Sequence, residues 1–237
     1  MKFPIIVTIL SSLLIGGACE EIDFHSGSIK EMDALIQKCE EGTPTIGQKE
    51  KRERTTKSVN SNAIKDIMVV QRLVDVYPTP EGTKRKIVSS VLRYAKEFNI
   101  DPVTLTAVLA KESSLNPGAK HAPVYVKVPT KKNWVSYKSA HVTAVGLGGV
   151  IFEIWKYELA EIGIKKRQDL FSVEGNIKAA ALILSIYTHE RKQLKHTASK
   201  EESALLRYYG VMRDKRGKPI KTYSTQVYKI EKMVRNG

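Results

Sequence analysis

Asp101-Pro-Val-Thr-Leu-Thr-Ala-Val-Leu-Ala-Lys-Glu-Ser-Ser-Leu-Asn-Pro-Gly-Ala119 is the stretch whose reading decides the fold. It reads as one helix with marked ends. Asp101 is a good N-cap, because its carboxylate can accept from the free backbone donors of the first turn. Pro102 suits the first helical position, where a missing N–H costs nothing. Pro117 and Gly118 are stop signals, and the proline pushes Asn116 out of the helical region. Leu105, Val108 and Leu109 form an apolar stripe at the helical period. Glu112 is the next position on that stripe. A carboxylate that continues a buried stripe loses hydration and its pKa rises, which makes it a candidate general acid. The plainer alternative is a Glu that only caps or salt-bridges a neighbouring element.

The chain of 237 residues allows one sizeable domain with a tail. Its formal net charge of +14 suits a polyanionic partner: nucleic acid, a membrane surface or an anionic cell-wall polymer. Charge alone does not choose among them. The two cysteines, Cys19 and Cys39, lack the spacing of a zinc site.

Lys2, the apolar run from Phe3 to Ile15 and then Gly16-Gly17-Ala18 read as a secretory signal over residues 1–18. The run is short for a membrane span, which needs about 20 apolar residues. Cleavage after Ala18 would expose Cys19. A Cys at that place resembles a bacterial lipoprotein signal, which implies lipidation and a membrane tether; the alternatives are ordinary cleavage with a Cys19–Cys39 disulfide, and an uncleaved anchor. Residues 19–62 read as a flexible linker, since 40–62 holds almost no large apolar residue. The folded part is expected over 63–237.

Within it, Ile64, Ile67, Met68 and Leu73 mark a first helix. Thr79-Pro80-Glu81 caps a second, carrying Ile87, Val88, Val91, Leu92 and Ala95. After the Asp101 helix, Val124-Tyr-Val-Lys-Val128 alternates at period two, 129–133 supplies turn residues and Trp134–Tyr137 resumes, which predicts a β-hairpin. Helical periodicity returns over 143–162, 173–193, 200–209 and 223–235. The expected class is mainly α with a small β-hairpin insertion.

Four blocks stand in order: Ala110-Lys-Glu112-Ser113-Ser-Leu-Asn-Pro-Gly-Ala119, Ala144-Val-Gly146-Leu147-Gly148-Gly149-Val150, Asn176-Ile177 opening an alanine-rich helix, and Ala204-Leu-Leu-Arg-Tyr208-Tyr209-Gly210. Together they resemble the lytic transglycosylase domain of the soluble-lytic-transglycosylase type, a lysozyme-like fold that cuts peptidoglycan. The resemblance spans about residues 100–234 and is most specific in the Glu-Ser…Asn-Pro…Ala block. It implies that Glu112 is a single catalytic acid/base and that Ser113 orients the substrate or the carboxylate. It implies further that Gly146 and Leu147 line the cleft and that the Tyr208 hydroxyl lies near the carboxylate. Gly148 and Gly149 depart from the family's Met and Gln, and Tyr209 from its Asn. Adjacent glycines let a sugar chain approach the backbone closely.

Most glycosidases use two carboxylates. The family resemblance implies that the substrate supplies the second function, through its N-acetyl group or its 6-hydroxyl. Glu153, Glu158 and Glu161 are expected on the solvated face of a later helix, with Glu153 as the one alternative partner. Trp134, Tyr125 and Tyr137 either stack on sugars or pack the hairpin onto the domain, while Trp155 and Tyr157 read as core. The scattered histidines argue for no metal, and no cofactor is implied. The expected partner is a peptidoglycan glycan strand, with no nucleic acid; the place of action is the periplasm or cell envelope. A secretion or assembly machine is a further partner to be tested. The rivals are a hydrolase on the same fold and a non-catalytic glycan-binding or assembly protein.

Overall fold

The computed structural model describes residues 64–190, 193–210 and 213–235. The proposed signal, the linker and both cysteines lie outside them. Seven helices and one two-stranded antiparallel hairpin make up the described fold. Helix α1 covers 64–75, α2 Glu81–Glu97 and α3 Pro102–Ser113. Strands β1 (Lys120–Pro129) and β2 (Tyr137–Val145) follow. They are succeeded by α4 (Phe152–Glu161), α5 (Val173–Ser185), α6 (Lys200–Tyr209) and α7 (Thr222–Arg235).

Helix α3 is the hub, packing against α2, α5 and α7. Its burial is wider than one stripe, since every residue from Val103 to Ala110 except Thr104 is buried. A helix apolar nearly all round belongs inside a core. Asp101 caps it as expected, accepting from the backbone N–H groups of Val103 and Thr104. Its C-terminus comes earlier than the proline suggests. Ser114 and Leu115 both take left-handed backbone, with φ of 53° and 56°. The turn drives Leu115 into the core at zero exposure. Its carbonyl accepts from the Thr79 hydroxyl, so Thr79 braces the end of α3 and does not cap α2.

Two further boundaries differ from the periodicity. Residues 143–145 belong to β2, because their backbone is consumed by pairing with β1, down to Lys120 opposite Val145. Helix α5 ends at Ser185 and continues as a wider π-type turn over Ile186–Glu190.

The hairpin has two unlike faces. On one face Val128 and Val142 are buried and Val126 and Ala140 half-buried, with Val124 and Lys138 exposed at its edges, whereas Tyr125, Lys127, Tyr137, Ser139 and His141 on the other are all exposed. Its tip is fastened to α4. The Trp134 indole donates to Glu158, Tyr157 donates to the Thr130 carbonyl at 2.8 Å, and Lys132 pairs with Glu161. Trp134 also meets Trp155 edge-on, and Trp155 meets Tyr187 likewise. Trp134 therefore packs the hairpin onto the domain, while Tyr125 remains 74% exposed. The α4 carboxylates are engaged in the same way, not simply solvated. Glu153 lies against Arg167, which also donates to the Thr143 carbonyl.

Candidate active site

Glu112 stands in the last turn of α3, one residue before the helix ends. Its Oε1 accepts a 2.6 Å hydrogen bond from the Tyr223 hydroxyl of α7. Burial pushes its carboxyl pKa up, and desolvation outweighs the opposing pulls of the Tyr223 hydrogen bond, His121 and Lys111. The Tyr223 ring is 4% exposed. Its phenol pKa is raised by burial and then by the neighbouring Glu112 carboxylate, so it stays a donor throughout the physiological range.

The other wall is the turn between β2 and α4. Gly146 and Gly149 have φ of 70° and 58°, a backbone region that suits glycine. The turn is clamped through its backbone. The buried Asn176 side chain accepts from Gly148 N–H at 2.7 Å and donates to the carbonyls of Val145 and Leu170, each at 2.9 Å. Tyr208 donates to the Gly148 carbonyl at 2.7 Å. The His121 Nε2 lies 3.2 Å from the Gly146 carbonyl and donates to it in the tautomer protonated there.

The two adjacent glycines serve this packing, not an open approach for sugar at both positions. A Cβ on Gly148 would fall 2.7 Å from the Ala180 methyl and 2.8 Å from the Tyr208 oxygen. A Cβ on Gly149 would fall 2.8 Å from Oε2 of Glu112. The missing side chain at 149 thus makes room for the carboxylate itself.

The residues singled out from sequence are distributed unevenly around this centre. Glu112 lies within it, and Gly146 opens the wall beside it. Leu147 has zero exposure and belongs to the core, so it offers no side chain to a cleft. The Ser113 hydroxyl donates back to the Leu109 carbonyl at 2.9 Å, which ties it to its own helix. Tyr208 braces the turn through Gly148, and the hydroxyl bonded to the carboxylate is that of Tyr223. Tyr223, His121 and the clamping role of Asn176 escaped the sequence reading. Tyr223 is 111 positions from Glu112, and no local pattern joins them. Among the described residues no three His, Cys, Asp or Glu side chains gather as metal ligands.

The hub helix of this mostly helical fold thus ends in one half-buried, tyrosine-bound carboxylate. The chain matches the transglycosylase SLT domain family over residues 89–211. It belongs to that family, the lytic transglycosylases of lysozyme-like type. No curated protein and no solved structure matches the chain.

Proposed function

We propose that the protein cleaves the β-1,4 bond between N-acetylmuramic acid and N-acetylglucosamine in peptidoglycan by the lyase route, with Glu112 as acid and then base. The observation that carries this reading is the state of Glu112. It is desolvated, its pKa is raised, and it is held by Tyr223 at the end of the hub helix. Desolvation favours the protonated form of such a carboxyl, the form that can donate to a glycosidic oxygen. As that C–O bond breaks, the leaving sugar keeps the proton. The resulting carboxylate then takes the proton of the muramic 6-hydroxyl, whose oxygen closes on the anomeric carbon. The product is a 1,6-anhydro sugar, and water is neither consumed nor released. Tyr223 donates to the carboxylate form and stabilises it between the two half-steps.

The positive charge of the chain suits an anionic wall polymer. Residues 1–18 support export to the periplasm or cell envelope, with Cys19 as a lipid tether or a disulfide partner. Intact mass of the exported form tests both: a mature chain starting at Cys19 is expected, and one starting at Met1 would refute export by this signal.

Digestion of purified peptidoglycan tests the chemistry. Wild type is expected to release muropeptides ending in 1,6-anhydro-N-acetylmuramic acid, lighter by one water than hydrolysed ends. Glu112→Gln should lower the rate by about 10²–10⁴-fold, the usual worth of acid–base catalysis. Reducing ends would mean a hydrolase. Binding without cleavage by wild type would mean a glycan-binding or assembly protein.

A further inference from the structure

Helix α6 ends in two consecutive tyrosines, and the active site as described uses only the first. Tyr208 reaches one wall, the Gly148 carbonyl. Tyr209 reaches the other. Its ring lies nearly parallel on Tyr223, with centroids 4.6 Å apart and planes at 16°. Tyr223 is buried and holds Glu112, whereas Tyr209 is 53% exposed. The two rings, with Lys111, Ile220, Thr222 and Gln226, line a cavity of about 250 Å³, which Glu112 adjoins only through Tyr223 and the neighbouring Lys111. An exposed aromatic at the end of an amphipathic helix needs no special explanation by itself. One that stacks on the ring bonded to Glu112 and lines a cavity with it does.

We propose that Tyr209 is a positioning residue for the acid. Its ring covers the solvent side of Tyr223 and keeps that phenol aligned on Glu112 Oε1, and a glycan unit lying in the adjoining cavity presses on the same face. Removing the ring opens Tyr223 to the cavity and gives it room to rotate away from the carboxylate. Offset aromatic pairs are worth enough to hold such a geometry, and their loss costs a few-fold to about tenfold in an equilibrium. Four groups face Glu112 in this arrangement: Tyr223 from α7, Tyr208 from α6, His121 from the hairpin and Lys111 from its own helix. Among them Tyr223 is the one whose placement depends on Tyr209. Its hydrogen bond favours the ionised carboxylate. A loosened Tyr223 therefore raises the Glu112 pKa further and carries the high-pH limb of activity upward.

The proposal rests on Glu112 being the acid, and two measurements separate its failure from the failure of that reading. The first follows the Glu112 carboxyl carbon by NMR through a pH titration of the full chain, without substrate. Tyr209→Ala should move the midpoint to higher pH, and Tyr209→Phe should leave it at the wild-type position. The second measures kcat and KM for soluble glycan strands across pH. Tyr209→Ala should lower kcat about three- to tenfold and shift the high-pH limb upward, with Tyr209→Phe restoring both. An unmoved midpoint overturns the proposal, and so does a rise in KM alone with an unmoved limb. If wild type proves inactive, the proposed function falls while the titration still decides the role of Tyr209. Should Tyr209→Ala fail to fold by circular dichroism, Tyr209→Leu keeps apolar bulk without a flat ring and is judged by the same criteria.

Discussion

The Gly146–Gly149 turn and the hairpin that leads into it are neighbours in the chain and are secured in opposite ways. The turn is held from within: Asn176 and Tyr208, two side chains from distant helices, bind its backbone groups directly. The hairpin is held at its ends. His121 at its base touches the turn, and Trp134, Thr130 and Lys132 at its tip are fastened to α4. Between those points one strand face is bare. The difference follows from burial. Backbone groups in the turn have no water to bond and must be satisfied by protein, whereas the exposed strand face is satisfied by solvent. The turn beside Glu112 is held along its backbone, and the hairpin that extends the surface is pinned at its ends.

The strongest way to break this contrast is at Asn176. Asn176→Ala strips partners from Gly148 N–H and the Leu170 carbonyl and one of two donors from the Val145 carbonyl, which keeps Val150 N–H. Leaving buried backbone groups unsatisfied costs about 1–3 kcal/mol each before relaxation. A stability loss of about 3 kcal/mol or more is expected in chemical denaturation. A loss under about 1 kcal/mol would show that the turn holds itself.

Next comes Gly149→Ala, which sharpens the claim that the glycine makes room for the acid. The added methyl would meet Oε2 of Glu112 at 2.8 Å and must sit at a positive φ. Displacing a reacting group by about 1 Å typically costs about 10²-fold in rate. Turnover should therefore fall about 100-fold, with a smaller loss of about 1 kcal/mol in stability from the strained backbone. Unchanged turnover would mean that the carboxylate works from another rotamer.

The smallest effect lies on the hairpin and is itself a comparison. Trp134→Ala removes the indole bond to Glu158 and the edge contact with Trp155. It should cost about 2 kcal/mol, within the range for losing a partly buried anchor. Tyr125→Ala, on the bare face, should stay within about 0.5 kcal/mol of wild type. Equal effects in thermal unfolding would erase the distinction between pinned tip and free face.

Much of this organisation was legible in the residues. Asp101-Pro102 announced the start of the hub helix because an N-cap is a local device, satisfied within three residues. The alternation of Val124, Val126 and Val128 announced a strand because side chains change face at every residue. Glu112 was legible as a misfit, a carboxylate continuing an apolar stripe. Local signals failed where distant groups decided. The end of α3 at Ser113 owes more to Leu115 entering the core than to Pro117. Residues 143–145 became strand because β1 was there to pair with them.

The sequence by itself determined the mainly helical class with its hairpin, the family and the residue to suspect, since each is written in periodicity, caps or a compact motif. Tertiary structure alone decided which tyrosine holds Glu112, that Leu147 is core, that Asn176 clamps the turn and that Gly149 yields its space to a carboxylate. These depend on contacts between residues tens to more than a hundred positions apart. No local propensity encodes such a contact. It exists only once helices α3, α5, α6 and α7 have packed and brought their side chains within hydrogen-bonding reach.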